Sequence, residues 1–141
     1  MSYREKTTWI SLLAMGVVYG WYFWKVMPVL AAGNGDALHY AHLLGSTIGA
    51  VAILQIIPMI VVAVLSPAEA NAPHDEREKL YALKGTQAAY FVLVGGALFT
   101  SVAGIFLGAS AGMLANIILL AVVTSNLTKY LTEVAYFRFA A

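Results

Sequence analysis

The chain contains no cysteine, which removes disulfides, thiolate nucleophiles and thiolate metal sites together. Charge is nearly as scarce. Only 11% of the 141 residues are Asp, Glu, Lys or Arg, against about 25% in soluble domains, and 61% are hydrophobic. A chain with so little polar surface to offer water takes lipid as its solvent. Eight basic and seven acidic residues leave a formal charge of +1, so no basic field points to direct contact with nucleic acid. Catalytic signatures are missing as well: no nucleophile–base pair, complete metal set, phosphate loop or dinucleotide fingerprint is legible. The expectation is a protein that binds rather than catalyses, with no cofactor.

What is present is apolar length. Crossing about 30 Å of hydrocarbon takes about 20 mostly apolar helical residues, and four segments meet that test, at about 8–30, 38–65, 86–107 and 111–137. The basic N-terminus, MSYREKTTW, resembles the start of a signal peptide. The apolar run after it is too long, however, and no small-residue cleavage site closes it, so it reads as a retained first span. The expected fold is therefore all-α, a single integral-membrane domain built as a four-helix up-and-down bundle, with a linker and amphipathic turn over 66–85.

Cations orient such a bundle, because Lys and Arg in short loops resist translocation. Arg4 and Lys6 precede span one, Arg77, Lys79 and Lys84 lie between spans two and three, and Lys129 and Arg138 end the chain. All seven fall on one side. Lys25 sits at the far end of span one beside Trp21, Tyr22 and Trp24, an aromatic belt beside which a long stem can snorkel. Both termini are expected to be cytoplasmic in a bacterial inner membrane.

The densest charge lies in NAPHDEREKLYALKGTQAAYF, residues 71–91. Pro67 and Pro73 bracket a segment that cannot continue span two. Asp75 is then a good N-cap, with Glu78 placed for a capping box, and Asp75 and Lys79 stand at i, i+4. Leu80, Leu83 and Tyr90 continue an apolar face toward span three, and Gly85 marks a hinge. A cap needs one acid and topology needs two cations. The surplus of both leaves room for a docking surface made of Asp75, Glu76, Arg77, Lys79, Lys84, Lys129 and Glu133. On this reading Lys129 pairs with Glu76 or Glu78 and Glu133 with Arg77; the alternative is a local Lys129–Glu133 pair.

The stretch DEREKLYALKGTQAAYFVL resembles the Asp-Glu-Arg signature before the third span of small four-span bacterial membrane proteins of uncharacterised function. The matching positions are Asp75, Glu76, Arg77, Lys84 and Tyr90; where such proteins often carry an Arg shortly before the aromatic, this chain has Gln87. The resemblance implies a membrane partner of a small helix-turn-helix regulator, held or inhibited at the membrane, and it implies no catalytic residues.

Polar groups at membrane depth are costly and so informative. His39 and His42 share a face of span two and are weak candidates for a metal site, whose further ligands would have to come from Asp36 or a second subunit. Gln55 lies three residues before Pro58; either its amide satisfies the carbonyl that the proline frees, or the two shape a polar path with Asn116. That path would make the chain a small channel or carrier. Asn126, Lys129 and Glu133 share a polar face of span four. Small residues repeat at i, i+4, as Gly16 and Gly20, Ala41, Gly45 and Gly49, and Gly104, Gly108 and Gly112. They suit packing within the bundle, a homo-oligomer, or an accessory role in a larger membrane complex.

Overall fold

A computed structural model describes residues 3–32, 37–65, 67–70 and 75–139. Among these the chain is helical: α1 (Tyr3–Ala32), α2 (Ala37–Leu65), a single turn α3 (Pro67–Ala70), α4 (Glu76–Phe106) and α5 (Ala111–Phe139). The four long helices are each long and apolar enough to cross a membrane. Their cores fall where apolar length placed the spans. α4, however, runs unbroken through Gly85, so the amphipathic turn and the third span are one helix with no hinge between them.

The main contacts run in the order α2, α1, α5, α4. The α1 residues buried along this row recur every three or four positions, from Glu5, Thr8 and Ser11 through Met15, Val18 and Tyr19 to Tyr22 and Val26. That spacing lays one stripe down the helix. Its first turns are polar and the rest apolar, and Met15, Val18 and Tyr19 join Val123 of α5 in the core cluster.

The α4–α5 contact depends on small side chains. Tyr81, Gly85, Ala89, Thr100 and Ala103 form the buried face of α4, whereas Leu80, Leu83 and Tyr90 are exposed, so the apolar face expected through them points away from the protein. Gly85 crosses Lys129 and Glu133, Ala89 accepts a 2.8 Å hydrogen bond from Ser125 Oγ, Gly96 meets Ala121, and Gly104 meets Leu114. Partners that descend along α5 as α4 ascends make the pair antiparallel. Tyr81 closes the contact, stacked on Tyr136 and edge-on to Phe137. At the opposite end Gly108, the one residue with positive φ among those described, turns the chain into α5, a conformation that glycine adopts without steric cost.

Glycine is not used uniformly. Among the described residues, a Cβ at Gly16, Gly20, Gly45 or Gly49 would meet nothing within 4 Å, so these four do not serve packing between the described helices. Nor is the expected aromatic belt uniform: Trp24 and Trp21 are exposed, but Tyr22 is 1% exposed and belongs to the core.

Candidate functional site

The charged run opens α4. Asp75 holds the N-cap position, yet its side chain makes no capping hydrogen bond, so the expected capping box is not formed. Instead, Lys79 Nζ donates to Glu76 Oε1 at 2.7 Å, an i, i+3 pair in place of the expected Asp75–Lys79 pair. Both groups are more than half exposed, where an ion pair is worth well under about 1 kcal/mol. Asp75, Glu76, Arg77, Lys79 and Lys84 all face outward.

Lys129 and Glu133 do not join them. Lys129 is half-buried, with Nζ 5.5 Å from the centre of the Tyr130 ring. Glu133 is 3% exposed. It cannot be part of an outward docking face, because α4 at Gly85 and α1 at Thr8 close over it. Among the described residues, Lys129 and Glu133 make no ion pair with residues 75–78 or with each other. Glu133 Oε2 accepts a hydrogen bond from Thr8 Oγ1 at 3.2 Å, and the same hydroxyl donates to Arg4 O at 2.9 Å. A hydroxyl has one proton, so Glu133 receives only a share of it. Among the described residues, Oε1 finds no hydrogen-bond partner although it is buried.

Around this carboxylate lies a cavity of about 300 Å³ between α1, α2 and α5, bordered by Arg4, Thr8, Ser11, Met59, Lys129 and Tyr130. At the neighbouring helix ends Arg138 Nε pairs with Glu5 Oε1 at 3.4 Å. The signals in sequence for this cluster were height and residue type. Thr8 stands five residues after the start of α1 and Glu133 six before the end of α5, so antiparallel packing brings them level.

The intramembrane amides are placed separately. Asn116 is buried between α1 and α5, where Oδ1 accepts from Tyr22 Oη at 2.8 Å and Nδ2 donates to Gly112 O at 2.8 Å. It also borders an apolar cavity of about 320 Å³ whose walls, such as Phe23, Met27 and Leu120, come from α1 and α5 alone. Gln55 and Pro58 are on α2 and line no part of it, so this cavity does not form the polar path expected of Gln55, Pro58 and Asn116. Asn126 is half-buried and donates to Val122 O within its own helix at 2.9 Å. His42 is exposed, the His39 side chain and Asp36, Pro73 and His74 lie outside the described residues, and among the described residues no three His, Asp or Glu converge on a common point. Compared with protein-family models, with curated proteins and with solved structures, the chain matches none of them.

Proposed function

We propose that this is a multi-pass protein of a bacterial inner membrane, an up-and-down bundle with both termini in the cytoplasm, that acts by binding a soluble regulator or another membrane subunit through the start of α4. The observation that carries the reading is that Asp75, Glu76, Arg77, Lys79 and Lys84 are all exposed and that, among the described residues, their one ion pair is local to α4. Charges meant as an intramolecular clasp would be spent on α5, and these are not. The α4 surface that holds them is firmly seated, since Tyr81 and Gly85 anchor the same turns to α5. A rigid, mixed-charge face favours a partner of complementary pattern and steers its approach. Arg77→Glu with Lys84→Glu should abolish co-purification of that partner while leaving expression and monodispersity unchanged. Equal recovery of every co-purifying protein from the double variant would overturn the reading.

A second reading, an accessory subunit or homo-oligomer that packs within the bilayer, is favoured by the open glycines. Gly16 and Gly20 on α1 and Gly45 and Gly49 on α2 leave their helix backbones accessible to another helix, as close helix pairs in lipid require, and none meets a neighbour among the described residues. Gly45→Leu with Gly49→Leu should release a membrane partner or second copy, detected by cross-linking in native membranes, with no loss of the chain's own stability. An unchanged cross-linking pattern would remove this reading.

A further inference from the structure

We propose that the cavity beside Glu133 is a binding site for the phosphoethanolamine headgroup of a membrane lipid, its ammonium held by Glu133 and its phosphate by Arg4 and Lys129. The argument begins with an electrostatic imbalance. Glu133 is nearly fully buried, and among the described residues one of its oxygens has no donor while the other shares the proton of Thr8. Carboxylates left in this state are strongly destabilising unless a partner supplies donors and opposite charge. Rotation about the terminal carboxylate bond is soft, so either oxygen can be turned to the cavity. Arg4 and Lys129 border the same space, and among the described residues neither forms an ion pair.

A ligand that answers both deficits carries a cation with N–H donors and, a few bonds away, an anion. A purely anionic headgroup would satisfy Arg4 and Lys129 but would set its charge against Glu133. Choline brings a positive charge without a donor. A primary ammonium brings both. Size agrees, since about 300 Å³ is the volume of about ten liquid waters, ample for a group of about eight heavy atoms.

Depth points to a lipid as the source. α1 is 30 residues long, about 45 Å at 1.5 Å per residue, which matches a bilayer with its headgroups rather than its hydrocarbon alone. Thr8 lies five residues and Glu133 six residues inside their helix ends, about 8–9 Å, at the base of the headgroup layer.

The test uses the full chain purified in detergent and titrated, by native mass spectrometry, with lipids of identical acyl chains. The headgroups are phosphoethanolamine, its N-methyl and N,N-dimethyl forms, phosphocholine and phosphoglycerol. Phosphoethanolamine is expected to bind about tenfold more tightly than phosphocholine or phosphoglycerol, the size of one charge-assisted hydrogen bond, with affinity falling as N–H donors are methylated away. Glu133→Gln should bring these affinities together, and Arg4→Gln with Lys129→Gln should weaken all the lipids alike. The methylation series needs no variant and stands even where Glu133→Gln fails to fold. Equal binding of phosphoethanolamine and phosphocholine lipids by the native chain, or an undiminished preference in Glu133→Gln, would overturn the proposal. Competition by soluble O-phosphoethanolamine identifies the headgroup as sufficient; preference without competition identifies the membrane lipid as the ligand.

Discussion

Gly85→Val is expected to lower stability by about 3 kcal/mol, the upper part of the range for inserting atoms into a packed contact, and to loosen α4 from α5. The reason is where the added Cβ would fall, 2.8 Å from the Lys129 carbonyl oxygen and 2.9 Å from Glu133 Cγ. The first of these is backbone and has no rotamer to change. Even alanine would meet that oxygen, so relief requires the two helices to part, which also strains the Tyr81–Tyr136 stack and the Ser125–Ala89 hydrogen bond. Thermal unfolding in detergent, followed by size-exclusion chromatography, measures the effect. Gly45→Ala is the matched control. Its Cβ meets nothing, and replacing glycine by alanine within a helix gains about 0.5–1 kcal/mol, so the two substitutions should move stability in opposite directions. A Gly85→Val protein as stable as the parent would mean that α4 and α5 do not cross there.

Tyr22→Ala is expected to be comparably damaging, at about 3–5 kcal/mol, as for other large aromatic truncations in cores. Tyr22 is 1% exposed, lies edge-on to Phe23 and donates to Asn116. Tyr22→Phe separates the two contributions. It keeps the ring and removes the hydroxyl, leaving Asn116 Oδ1 buried without its donor, a loss of about 1–3 kcal/mol. Asn116→Leu combined with Tyr22→Phe should recover part of that loss, because removing both polar partners is better tolerated than removing one. The same unfolding assay reads the series. Equal stability of Tyr22→Phe and the parent would mean that the 2.8 Å contact contributes nothing.

Apolar length is sufficient to locate all four long helices, and for a physical reason: a bilayer imposes nearly the same requirement on every span, so a local count of residues finds it. Faces are another matter. Trp21, Tyr22 and Trp24 read alike as interfacial aromatics, and only packing against α5 separates the buried Tyr22 from the exposed tryptophans. Gly85 signals flexibility in sequence, but the partner that makes it a close-approach residue stands more than forty positions away. Glu133 misleads most. With Lys129 and Asn126 at helical spacing it reads as part of a solvated stripe, yet Thr8, from the far end of the chain, encloses it. Asp75 illustrates the converse: it occupies the cap position its residue type suggests, without forming the hydrogen bond that usually justifies the choice. In lipid every residue of a span can be apolar, so the hydrophobic pattern that marks an inner face in water carries little information about which side is inside.

The direct pairing of α1 with α5 has a consequence for biosynthesis. Tyr22 and Thr8 are made well before their partners Asn116 and Glu133, which lie about a hundred positions later in the chain. A hairpin of α1 and α2 can form early, but the polar stripe of α1 must wait in the translocation machinery or the bilayer until α5 has been made. Assembly therefore waits for α5 to arrive between α1 and α4, and chains arrested before Asn116 should remain dependent on insertion factors or be degraded.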